Sequence, residues 1–205
     1  QKPVVVLHVG TSEVGAKAAV AHSSRLAGDA RAYDALFQSC GVLTVSSIEG
    51  FATAAGLLER YGRLTGGLAA ISSSGAGASL LADLAAKYGI HVPPLSDSTQ
   101  SAIDKIKRLH HGSNPADLGA FAGAKGTANV ASFVTSDPSI GLALILAQSF
   151  HGAAYNPVLD SITRARKTSG KPTLIVAPGG LHPDEQRAYE VDGVQVLSDT
   201  ESAMQ

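Results

Sequence analysis

The sequence predicts an α/β protein built on largely parallel sheets, and three observations carry that prediction. Short apolar runs alternate with helical stretches along the whole 205-residue chain. Two of those runs lead into loops rich in glycine and serine, "GTSEVGAKAAVAHSS" from Gly10 and "SSSGAG" from Ser72. Hydrophobic residues make up 44% and charged residues 16%, the balance of a globular chain able to fill one large core or two small ones.

The elements follow in order. A strand is expected over 3–9 ("PVVVLHV"), then a loop that delivers His22 just ahead of a helix near 29–40. A strand at 42–46 and a helix at 48–62 come next. "GRLTGG", residues 62–67, is glycine-rich and reads as a linker, which separates a first domain, 1–63, from a second, 67–205. The second alternation opens with a strand at 68–72 and a helix at 77–88. "GIHVPPLS" reads as a short strand and turn, followed by a helix in "DSTQSAIDKIKRLHH" capped by Ser98 or Thr99. After the loop "GSNPADLG", with Asn114 extended ahead of its proline, come a helix near 125–135, a strand at 142–147 and a helix at 157–168. A strand at 172–177, a helix at 183–190, a strand at 194–197 and a short last helix close the chain.

Composition narrows the partners. Sixteen basic and 17 acidic side chains leave a net charge of −1, which gives no attraction to nucleic acid or an anionic membrane. No apolar run reaches the roughly 18 residues of a membrane span. The single cysteine, Cys40, allows no intrachain disulfide and points to a structural role in a reducing, cytoplasmic compartment. The opening "QKPVVVLHVG" has neither an initiator methionine nor a signal peptide and suggests a piece of a longer chain.

Ligands in open α/β sheets gather where strands end and helices begin. A strand that delivers Ser73, Ser74, Gly75, Ala76 and Gly77 into a helix leaves backbone N–H groups facing outward at a positive dipole end, which favours an anion. Glycine lets a phosphate come close to the backbone. Leu80 stands where a dinucleotide fingerprint needs its third glycine, and no P-loop lysine follows. The competing assignment is a tight turn with no ligand. His22, set among alanines and serines, is a candidate nucleophile because a neutral imidazole can form a phosphoramidate held between opposed helix N-termini. Its competing assignments are a capping or core histidine. His8 reads as a strand residue facing a neighbour; His91, His110, His111, His151 and His182 form no ligand cluster, so no metal site is expected.

Taken together these stretches resemble the NDP-forming (ADP-forming) acyl-CoA synthetases, relatives of succinyl-CoA synthetase. That family carries K-P-V-V-x-L-K-x-G-R-S-x-x-G, then A-x-x-S-H-T-G-x-L-A-G, then a Y-D-A helix. Lys2, Pro3, Gly10, Ser12, Gly15, His22, Leu26, Ala27, Gly28, Tyr33, Asp34 and Gly41 match. "AAISSSGAGASLLADLAAKYGIHVPPLS" and "GSNPADLG" resemble the later T-N-A-G-G-x-G-x-L-A-x-D and G-N-P-x-D-L-G segments. The chain departs from the pattern at "AHSS", residues 21–24, and in "SSSGAG".

The resemblance implies two flavodoxin-like or Rossmann-like succinyl-CoA synthetase domains with mostly parallel sheets, the first truncated at its N-terminus. It implies an acid–thiol ligase reaction through an acyl phosphate and a phosphohistidine at His22. Ser23, Ser73, Ser74, Gly75, Ala76 and Gly77 would bind phosphate, and Asn114, Asp117 and Gly119 would form an active-site loop. ATP or another NTP, Mg²⁺ and CoA would be used by the full enzyme, with none bound within this fragment. The implied partners are a CoA-binding domain, an ATP-grasp domain or subunit and a small carboxylic acid, and homo-oligomers are allowed. Two readings compete: a regulatory ligand-binding module of the same fold, as appended to acetyltransferases, and an interaction domain without chemistry.

Overall fold

The computed structural model describes residues 2–23, 28–106, 113–119, 123–147 and 155–204. Contacts divide the chain after Arg63 into two units, each with its own parallel sheet.

In the first unit β1 (Val5–Leu7) pairs with β2 (Leu43–Val45) in the register Val5↔Leu43, Val6↔Thr44 and Leu7↔Val45. Between them lie α1 (Glu13–Ser23) and α2 (Ala30–Cys40), and α3 (Ile48–Tyr61) follows β2. The long loop expected from Gly10 to His22 is therefore mostly helix, and His22 lies in its last turn. Local chemistry explains the correction. Ser12 Oγ accepts from the Gly15 N–H at 3.1 Å, Glu13 pairs with Lys17 one turn on, and Ala16, Ala18, Ala19 and Ala21 have the highest helix propensity of any residue. Asp29 caps α2 through the Arg31 N–H, and Gly41, with φ +66°, ends it in the left-handed conformation. Ser47 caps α3 through the Gly50 N–H at 2.9 Å. Cys40 is the exposed last residue of α2.

The second unit winds β3 (Gly67–Ser72), α4 (Gly75–Lys87), α5 (Asp97–Ile106), β4 (Ala116–Asp117), α6 (Gly123–Ser136), β5 (Ile140–Leu146), α7 (Tyr155–Ser169), β6 (Thr173–Val176), α8 (Pro183–Val191), β7 (Gln195–Leu197) and α9 (Thr200–Met204). The all-parallel strand order β4-β3-β5-β6-β7 is the flavodoxin-like 2-1-3-4-5 winding. Helix α4 packs with α9, while α5, α6, α7 and α8 form the other helical group. Glu201 joins the first pair, accepting from Lys87 Nζ and, at 2.6 Å, from the Tyr88 hydroxyl. Ile71, Ile145, Ile175, Val130 and Ile162 form the centre of one core cluster and Leu144, alternating with Ile145 in β5, is also fully buried, so the strands read as continuous apolar runs, as strands covered on both faces should. No helix among the described residues is long and apolar enough to cross a membrane.

Two further expectations change. "GIHVPPLS" forms no strand, although the His91 carbonyl accepts from Leu68 N–H. Helix α5 starts at Asp97, so Ser98 and Thr99 lie inside its first turn and Ser96 Oγ receives the Thr99 N–H at 3.4 Å. Ser96 is in turn fixed by Asp137, whose carboxylate accepts the Ser96 N–H at 2.8 Å and hydroxyl at 2.7 Å.

Candidate functional site

In this winding the strand order reverses between β3 and β5, and ligands bind at the carboxyl ends of those strands. Ser72 ends β3 opposite Leu146, the last residue of β5. Ser73 and Ser74 then complete a turn into α4. The Ser74 N–H donates to Ser72 Oγ at 3.1 Å, and Ser74 caps the helix by accepting from the Gly77 N–H at 3.5 Å. Gly75 and Ala76 are exposed, and their N–H groups have no hydrogen-bond acceptor among the described residues. The turn thus presents two open donors at the positive end of a 13-residue helix. Glycine is required at position 77: a Cβ there would lie 2.4 Å from Ser72 Oγ and 2.9 Å from Leu146 Cδ2.

The loop "GSNPADLG" divides into two parts. Asn114 is used inside the fold. Its Oδ1 accepts the Ala70 N–H at 3.0 Å, and its Nδ2 donates to the carbonyls of Leu68 at 2.7 Å and Pro93 at 2.9 Å. The Asn114–Pro115 peptide bond is cis. Asp117 and Gly119 lie at the other end, because Asp117 pairs with Ser72 and the Leu118 N–H donates to the Ser72 carbonyl at 2.7 Å. Asp117 Oδ1 accepts the Gly119 N–H at 2.8 Å, and Oδ2 lies 3.3 Å from where a Cβ on Gly75 would sit. A carboxylate therefore stands at the start of α4 and offsets part of the positive potential there. Sequence spacing gave no sign of this approach, which is made by the pairing of β4 with β3.

His22 is in the first unit, exposed in the last turn of α1, and its imidazole has no hydrogen bond among the described residues. It sits at the negative end of its own helix. That end supplies nothing to neutralise a phosphoryl group. Ser23 ends the same helix, and Ser24, His110, His111 and His151 lie outside the described residues. His91 is exposed and His182 caps α8. The described residues hold no group of three or more His, Cys, Asp or Glu side chains with metal-binding geometry.

Sequence reasoning missed one cluster in the first unit. His8, just past β1, donates from Nδ1 to Asp34 Oδ1 at 3.3 Å, and its ring meets those of Tyr33 and Phe37 edge-on at 5.5 and 5.4 Å. The spacing of Tyr33 and Phe37, four apart on one face of α2, was the available signal.

Comparison with known proteins agrees with the fold. Residues 1–58 match the model of the succinyl-CoA ligase like flavodoxin domain. The chain is 30% identical over 199 residues, 95% of its length, to acetate–CoA ligase [ADP-forming] I of Archaeoglobus fulgidus. It is 28% identical over 88% of its length to the alpha subunit of acetate–CoA ligase [ADP-forming] II of Pyrococcus furiosus. It spans 28% of the first relative and 40% of the second. Among solved structures, the dinucleotide forming acetyl-coenzyme A synthetase 1 of Ca. Korarchaeum cryptofilum, in complex with phosphate and ADP, superposes with a TM-score of 0.81. That match is 23% identical and covers the whole of this chain and 45% of that one.

Proposed function

Because the chain belongs to the NDP-forming acyl-CoA synthetase family, we propose that it is the central part of an acid–thiol ligase that makes acyl-CoA from a carboxylic acid, CoA and ATP and releases ADP. In this reading a ring nitrogen of His22 attacks the γ-phosphorus of the nucleotide and ADP leaves. A carboxylate oxygen of the acid then takes the phosphoryl group from His22 to give an acyl phosphate, and the thiolate of CoA displaces phosphate from the acyl carbon. The exposure of His22 supports the first of these steps, since phosphorus must reach the imidazole. Charge neutralisation has to come from outside α1, whose end at His22 is negative.

The observation that carries the reading is the open start of α4 at the topological switch point, with the free N–H groups of Gly75 and Ala76. We assign phosphate binding to Ser73, Ser74, Gly75, Ala76 and Gly77, with Ser23 beside His22, and a neighbouring loop role to Asp117 and Gly119. Nucleotide, Mg²⁺ and CoA are assigned to the CoA-binding and ATP-grasp parts of the same enzyme, in keeping with the greater length of the relatives. A regulatory ligand-binding module is favoured by one observation, the Asp117 carboxylate beside Gly75, which suits a ligand less anionic than phosphate.

The experiment is to supply the complete enzyme with acyl-CoA, ADP and phosphate and measure ATP. ATP formation that requires both ADP and phosphate, and that His22→Asn abolishes, supports the ligase. A protein that binds acyl-CoA and makes no ATP with any acyl chain is the regulatory module.

A further inference from the structure

Asp117 places a carboxylate where an anion site needs donors, and the fold holds it there. β4 pairs Asp117 with Ser72, and the Leu118 N–H donates to the Ser72 carbonyl at 2.7 Å. The carboxylate itself is fixed, because Oδ1 accepts the Gly119 N–H at 2.8 Å. Oδ2 is turned to the start of α4 and lies 3.3 Å from where a Cβ on Gly75 would sit. Among the described residues no basic side chain forms an ion pair with Asp117. One carboxylate oxygen and the open N–H groups of Gly75 and Ala76 therefore stand together at the first turn of α4.

These opposite demands select the ligand. An N–H only donates and a carboxylate only accepts, so an anion that satisfies both must accept at some of its oxygens and donate from another. Sulfate has the tetrahedral shape but carries no proton, and it meets Oδ2 with like charge. Inorganic phosphate at neutral pH keeps at least one P–OH, which can donate to Oδ2 in a short charge-assisted hydrogen bond. We propose that Asp117 is a specificity-determining residue of this site: it accepts the proton-bearing oxygen of inorganic phosphate and so rejects oxyanions of the same shape that carry no proton. The inference rests on the assignment of phosphate to the start of α4 given above, and it adds the protonation state in which that phosphate is held. An aspartate that served only to stabilise the helix start would do so equally with either anion bound.

The test is equilibrium binding of labelled inorganic phosphate to the complete enzyme at neutral pH, with sulfate as the competitor. The wild type should prefer phosphate on the order of 10- to 100-fold, the worth of one hydrogen bond to a charged group. Asp117→Asn keeps an oxygen for the Gly119 N–H and turns an amide donor toward the ligand, so it should bind the two anions about equally. Sulfate that binds the wild type as tightly as phosphate, or a preference for phosphate that survives in Asp117→Asn, overturns the proposal. Gly75→Pro separates that result from failure of the site itself. Proline fits the first helical position behind the extended Ser74 and removes one donor, so phosphate binding should weaken. If phosphate binds Gly75→Pro as it binds the wild type, the assignment of phosphate to α4 has failed and the role of Asp117 falls with it.

Discussion

Gly77 packs against the hydroxyl of Ser72 so closely that a methyl group on it would lie 2.4 Å from Ser72 Oγ. Ser72 is 2% exposed and its Oγ is engaged by the Ser74 N–H, so it cannot swing away without opening the turn. Gly77→Ala gains up to about 1 kcal/mol of helix propensity, but the overlap costs about 1–3 kcal/mol and moves the first turn of α4. A lower melting temperature and weaker phosphate binding are expected together. The double substitution Ser72→Ala with Gly77→Ala removes the clashing oxygen and should recover part of the stability.

Ser74 caps α4 through a long hydrogen bond, 3.5 Å to the Gly77 N–H. Ser74→Ala should therefore lie at the low end of the range for a lost cap, about 0.5–1 kcal/mol. Ser74→Asp keeps a cap and adds negative charge to a helix start that already has Asp117 beside Gly75. Its stability in urea should stay close to wild type, while phosphate affinity falls.

Asp137 accepts from the N–H and hydroxyl groups of Ser96 and of Ser139, and is 1% exposed. Burial pushes its carboxyl upward, and the hydrogen bonds from Ser139, Ser96 and Thr99 outweigh that, leaving it well below the usual carboxylate range. The unfolded value is roughly 3.9, so the folded state binds the proton less tightly than the unfolded one. This group's contribution to stability is complete above the unfolded value and is lost as pH falls below it. Asp137→Asn should destabilise by about 1–3 kcal/mol at neutral pH. In urea titrations the gap between wild type and variant should narrow as pH falls from 7 to 3, by the linkage just given.

Asn114 holds β3 and the Pro93 carbonyl with one amide. Asn114→Ala leaves the Ala70 N–H and two carbonyls without that partner, at a cost of about 1–3 kcal/mol. Asn114→Asp at neutral pH is expected to be worse, because a carboxylate oxygen would replace the donor that faces the carbonyls of Leu68 and Pro93. Thermal melts of the two variants at neutral pH check the order.

The second unit was readable because its strands are buried. "LAAIS" and "IGLALIL" could only be core strands in an α/β pattern, and the serine–glycine turn between Ser72 and Gly77 marks a helix start by its own chemistry. Helix α1 was not readable as a helix. Its alanines give propensity without an apolar stripe, and Gly15 within it looked like loop punctuation. The two-residue strand β4 exists through its pairing with Ile71 and Ser72, some 45 positions earlier, and no local pattern announces it. The same pairing brings the Asp117 carboxylate to Gly75. What spacing along the chain can reveal is the start of a helix; what crosses between elements had to be seen.

The most direct test of the phosphohistidine assignment is the chemistry of the label itself. The complete enzyme, incubated with Mg-ATP carrying a labelled γ-phosphate, should acquire label that is stable in base and lost in acid, and His22→Asn should acquire none. Label that persists in His22→Asn, or no label while the nucleotide site is demonstrably occupied, contradicts the account.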